Sequence, residues 1–177
     1  MKLSNPMTRK EFKRKIKKWK KTVKSYSHKP NKSGYRNDCS GFVSYMWDLP
    51  KNTYNGVFIG GPRTRNKGRF NLKYWSEKIS KKDLKNGDAL MVMKPSYHVI
   101  LFDKWANREK TKYYTYEMCS RRFCKEHGFL HSKQDYPYTR RIRPRFKNPI
   151  LLRRNTRKIK KFLDFKKKEQ QILDRKI

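Results

Sequence analysis

Phe12, Ile16, Trp19 and Val23 recur at helical spacing in an otherwise charged stretch, and Thr8 followed by Glu11 has the spacing of a capping box. Residues 9–25 are therefore predicted to form an amphipathic helix whose outer face is almost solid Lys and Arg. Pro30, Ser33 and Gly34 in "SHKPNKSG" end it in a loop, and Gly41 to Trp47 predicts a short helix that stops before Pro50. Residues 50–72, containing "GGPRTRNKG", predict a long loop of the kind that borders sites. After a turn at Asn86 and Gly87, apolar runs predict strands over 89–93, 98–105 and 113–118, and a fourth over 138–143. From about Arg154 a last helix places Ile159, Phe162, Leu163, Ile172 and Leu173 on one face. There is no internal repeat and no low-complexity linker. The expected organisation is one α+β domain over residues 1–153, including the basic N-terminal helix, and a basic helical extension over 154–177.

Composition changes this picture in two ways. Only 34% of the 177 residues are hydrophobic, so eleven Tyr, ten Phe and four Trp must supply much of the burial and the core should be rich in rings. The net charge of +35 predicts a polyanionic partner: nucleic acid, an anionic membrane surface, an acidic wall polymer or an acidic protein. Residues 9–24 hold ten Lys or Arg against Glu11, and residues 154–177 hold ten against three acids, so both terminal helices are basic. No apolar run approaches the roughly 20 residues of a membrane span, and no apolar segment follows the first basic residues as in an export signal. Three cysteines, an odd number without framework spacing, point to a reducing compartment. The chain is expected to be intracellular or associated with a virus particle.

The candidate chemistry centres on "YRNDCSGFVSYMW". Cys39 precedes a predicted helix, where N–H groups and the helix dipole lower a thiol's pKa from about 8.5 and favour the thiolate. Ser40 and Gly41 are small enough to admit a substrate backbone, and the Cys39 N–H could face a developing oxyanion. The bland alternative is a small buried hydrophobe. A base must come from elsewhere: His98 opens the apolar strand "HVILFDKW", where a neutral imidazole could take the thiol proton and pass it to a leaving amine.

Together "DCSGFVSYMW", "LKNGDALMV" and "YHVILF" resemble, in order, the nucleophile motif, the lead-in to the second strand and the histidine motif of the NlpC/P60 superfamily of papain-like cysteine hydrolases. The resemblance runs from about Trp19 to Arg143. It implies a nucleophile helix packed on a small antiparallel sheet, with Cys39 as nucleophile, His98 as base and a polar residue of the next strand as third member, for which "YYTYEMC" offers Glu117. It also implies that Tyr26 lines the site and supports the oxyanion, that the substrate carries a peptide or amide bond, and that no cofactor is needed. A rival ligand set, Cys119, Cys124, His127 and His131 with the spacing C-x4-C-x2-H-x3-H, has zinc chemistry but too short a middle gap for the usual finger, so these are expected to be loop residues. Against the hydrolase stand two further expectations: a non-enzymatic basic structural protein, such as a minor capsid or virion component that keeps the fold, and a nucleic-acid-binding module.

Overall fold

The N-terminal apolar stripe folds as a helix. In a computed structural model that describes residues 3–23, 25–50, 71–92, 98–120, 128–136 and 149–175, helix α1 spans Arg9–Thr22. Thr8 caps it by accepting a hydrogen bond from the Glu11 N–H, and Phe12, Ile16 and Trp19 are buried along it. Where the sequence predicts only a loop, a small antiparallel hairpin forms from β1 (Ser27–Pro30) and β2 (Arg36–Asn37). Helix α2 (Cys39–Met46) begins two residues before the predicted Gly41, because the Asp38 carboxylate accepts the Gly41 N–H at 2.8 Å and so caps the helix ahead of Cys39.

A 3-10 turn at Leu72–Trp75 leads into β3 (Ser76–Lys78), and the Asn86-Gly87 turn delivers β4 (Ala89–Val92). Gly87 has φ +84°, a conformation that favours glycine, and it accepts the Trp47 indole N–H at 2.8 Å. Then come β5 (His98–Trp105), β6 (Lys112–Cys119), β7 (Gly128–Asp135), β8 (Ile150–Arg154) and helix α3 (Thr156–Asp174). The strand predicted over 138–143 lies outside the described residues. Strands β7 and β8 occupy stretches for which the pattern predicts no strand.

Among the described residues six strands form one antiparallel sheet in the order β3-β8-β4-β5-β6-β7. The C-terminal strand is thus inserted between β3 and β4, pairing Ser76 with Arg154 on one side and Met91 with Ile150 on the other. Arg153 arrives with it and forms a two-pronged ion pair with the buried carboxylate of Asp88, at 2.9 and 2.7 Å. Burial nevertheless holds the Asp88 carboxyl above its ordinary range, with the Arg153 guanidinium opposing it.

The sheet has two different faces. On one, Val99, Leu101 and Met118 join α1 and α2 in the main core, with Trp19 against the rings of Phe42 and Tyr45. On the other, Leu90, Ile100, Phe102, Tyr113 and Leu151 form a second cluster with Ile79 and Leu84. The architecture is α+β, and rings fill much of the core as the composition requires. No helix among the described residues is long and apolar enough to cross a membrane.

Candidate active site

Helix α2 lies against β5 and β6, the strands that carry the two partners predicted for its first residue. Its start is tightly built. A Cβ placed on Gly41 would stand 2.0 Å from the Arg36 carbonyl oxygen, so the β2 backbone crosses the first turn at a distance that only glycine allows. Asp38, 2% exposed, takes the Gly41 N–H and the Ser40 hydroxyl on one carboxylate oxygen, while the other meets the Arg36 guanidinium and His28 Nδ1. The carboxylate next to the thiol is therefore compensated by a cation and by the helix N-terminus, which limits its repulsion of a Cys39 thiolate. Cys39 itself is 7% exposed and belongs to the core cluster on the helix side. Tyr26 is partly buried against the same cluster, with its ring edge-on to His28 at 5.6 Å.

His98 and Glu117 are brought together. Their Nε2 and Oε2 atoms lie 2.7 Å apart, with both side chains almost wholly buried. Strands β5 and β6 are antiparallel neighbours, so the long sequence interval between these residues is spent on the hairpin that returns Glu117 beside His98. The second carboxylate oxygen of Glu117 accepts from the Gln134 amide at 3.2 Å, and that amide also reaches Thr115 Oγ1 at 2.9 Å and Ser132 Oγ at 3.0 Å. A buried polar network thus runs across β6 and β7 and fixes the carboxylate. Gln134, Ser132 and Asp38 are the members that sequence reasoning missed. The signals were present: alternate polar residues in "GFLHSKQD", and Asp38 three places before Gly41, the spacing of an N-cap. Tyr113 is buried near the same carboxylate, and burial first, with the charge of Glu117 second, pushes its phenol well above the ordinary range and keeps it neutral.

The thiol is placed differently. Strand alternation sends His98 to the side of Ile100 and Glu117 to that of Thr115, whereas Cys39 sits in the cluster with Val99 and Leu101. Since His98 is the first residue of β5, contact between thiol and imidazole would be made round the start of that strand rather than across the helix–sheet interface. Nε2 is engaged by Glu117, so Nδ1, which is also buried, is the nitrogen that would serve the thiol.

The zinc set does not assemble as spaced. Cys119 ends β6 in register with Gly128, while His131 pairs with Tyr116, which puts the two side chains on opposite faces of the sheet. Cys124 and His127 lie outside the described residues. His131 is a strand residue rather than a loop residue and meets Asp103 at 3.2 Å. Cys119 is disulfide-bonded, so the expectation of reduced thiols fails for it, and its partner is outside the described residues. The sulfur stands within 4.8 Å of donor atoms of His98 and Glu117, but in a disulfide it is no thiolate ligand for a metal. Comparison with models of known protein families and with curated proteins finds no match to this chain.

Proposed function

We propose that the protein is a papain-like cysteine hydrolase of the NlpC/P60 kind, acting on a peptide or amide bond, with Cys39 as nucleophile, His98 as base and Glu117 as the group that orients the base. The observation that carries this reading is the buried 2.7 Å contact between His98 and Glu117 on the two strands against which α2, headed by Cys39, is packed. Glu117 accepts the Nε2 proton, selects the tautomer with a basic Nδ1 and stabilises the imidazolium that forms when Nδ1 takes the thiol proton. The thiolate attacks the carbonyl carbon, and N–H groups at the start of α2, that of Cys39 included, face the resulting oxyanion, with Tyr26 alongside. The imidazolium then protonates the leaving amine, and water, deprotonated by the same imidazole, cleaves the thioester.

The test is the rate at which a small thiol-directed electrophile labels Cys39 as pH is varied, in the parent chain and in His98→Ala and Glu117→Gln. A Cys39 activated by His98 reacts well below the ordinary thiol pKa and slows by about tenfold or more at neutral pH in His98→Ala. Glu117→Gln keeps the hydrogen bond and removes the charge, so it gives an intermediate rate. Cys39→Ser abolishes any amide hydrolysis. The burial of Cys39 favours a second reading, a basic structural protein that keeps the fold without the reaction; it predicts equal labelling in all three chains and overturns the first if found.

A further inference from the structure

The helix-side face of β6 and β7, at the margin of the cover given by α1 and α2, carries a row of rings that the hydrolase reading does not use. His131 stacks on Tyr116 at 4.0 Å with an interplanar angle of 8°, Tyr114 lies 5.7 Å from His131 on one side, and Phe129 lies 5.6 Å from Tyr116 on the other. The row is not sealed into the core: Tyr114, Tyr116 and Phe129 are half-buried and the His131 side chain is 37% exposed. Cations border it on both sides. Arg9, Lys13, Lys17 and Lys20 recur along one stripe of α1 and, with Tyr116, line a groove of about 260 Å³. Lys20 Nζ stands 5.4 Å from the Phe129 ring centre, and Lys104 Nζ stands 5.1 Å from that of Tyr114. The acid in this groove, Asp103, is 3% exposed, paired with the Arg9 guanidinium and in contact with His131, so it offers little repulsion to an anion.

We propose that the face formed by α1, β6 and β7 is a binding platform for single-stranded nucleic acid, with bases stacking on Tyr114 and His131 and phosphates tracking Lys13, Lys17, Lys20 and Lys104. The argument rests on the coincidence of two features. Flat rings accessible between lysines suit unstacked bases of any sequence, whereas a duplex or a lipid headgroup uses the charge and leaves the rings idle. The basic stripe alone fits any polyanion, and the ring row selects among them. This inference stands apart from the hydrolase reading, because none of these residues belongs to the Cys39, His98 and Glu117 set.

The experiment is fluorescence anisotropy of a labelled oligothymidylate of roughly 20 nucleotides, a duplex of equal length, and acidic phospholipid vesicles, across a salt series. Four variant chains are compared: Tyr114→Ala with His131→Ala; Tyr114→Phe with His131→Phe; Lys13→Gln with Lys17→Gln and Lys20→Gln; and, as a remote control, Lys166→Gln with Lys167→Gln and Lys168→Gln on α3. The ring variant is expected to weaken single-strand binding about tenfold or more while leaving the salt slope and the duplex affinity unchanged. The α1 variant is expected to flatten the single-strand slope of log K against log salt by roughly 2. The α3 variant should do markedly less than the α1 variant. Tyr114→Phe with His131→Phe keeps the rings and should keep the binding, which separates stacking from damage to the fold. Unchanged single-strand affinity in the ring variant, or binding to duplex or vesicles as tight as to the single strand, overturns the proposal.

Discussion

Helices α1 and α3 are written in similar language, apolar residues at helical spacing in a field of lysines, yet they are held very differently. In α1 the apolar positions fall at intervals of four, three and four residues, and Phe12, Ile16 and Trp19 all disappear into the core. In α3 only Ile159 is buried. Phe162 packs edge-on to Trp75 at 5.2 Å, and then "KKKEQQ" interrupts the stripe, leaving Phe165 59% exposed and Ile172 56% exposed. Periodicity identifies the face that a helix could bury. Burial also needs a receiving surface: α1 lies against α2 and the rings of Tyr116 and Phe129, whereas α3 meets Tyr74 and Trp75 through its first two turns.

Five measurements bear on that contrast. Trp19→Ala is expected to cost about 3–5 kcal/mol in urea unfolding, since it empties a site enclosed by Phe42 and Tyr45; a loss under about 1 kcal/mol would mean that α1 is as loosely held as α3. Ile159→Ala should cost about 2–4 kcal/mol, because it removes the one fully docked side chain of α3. Helix caps divide the two again: Thr8→Ala should lower global stability by about 1 kcal/mol, whereas Asn155→Ala, which loses the bond from the Lys158 N–H, should act mainly on amide exchange within α3.

The fourth measurement uses pH, through the pair that ties the helices together. Glu11 on α1 binds Arg154, the residue before the α3 cap, at 2.9 and 3.0 Å. Partial burial raises the Glu11 carboxyl, the hydrogen bond and charge of Arg154 outweigh this, and the net effect is a lowered pKa. Its contribution to stability is therefore present above the unfolded value near 4.5 and lost as pH falls through the lower folded value. Glu11→Gln should lower stability at neutral pH by less than about 1 kcal/mol, flatten the acid limb of the stability curve and change little below the folded pKa. Smallest of all, ending the chain at Asp164 should shift stability by less than about 0.5 kcal/mol and leave Cys39 labelling unchanged.

What could be read from the sequence follows the same division. The helix of Phe12, Ile16 and Trp19 was legible because its apolar spacing is unbroken, and β4, β5 and β6 because their runs are apolar. Strand β7 was hidden: its buried positions include Ser132 and Gln134, polar residues held inside by hydrogen bonds from the Gln134 amide to Thr115 and Glu117 and by the contact of Ser132 with Thr115. Strand β8 was hidden in the same way by Arg153, which reads as surface and is buried against Asp88. Among the site residues, the meeting of His98 and Glu117 was legible from motif order. The Asp38 cap and the Gln134 network were not, since each depends on a partner that only the fold supplies.

The position of β8 has a consequence for the order of events during synthesis. Until Ile150 to Arg154 have emerged, β3 and β4 face each other across an empty lane, each with a row of unpaired backbone groups. Asp88 likewise waits for its guanidinium and must stay hydrated, which holds that end of β4 open to water. The sheet therefore closes only after Arg154 has been made, and folding of the preceding segments can complete α1, α2 and the β4–β7 meander long before it can complete the sheet. A ribosome that pauses before Ile150 would hold a half-sheet with two sticky margins, and the interval between β7 and β8 is the window in which a chaperone would have the most to protect.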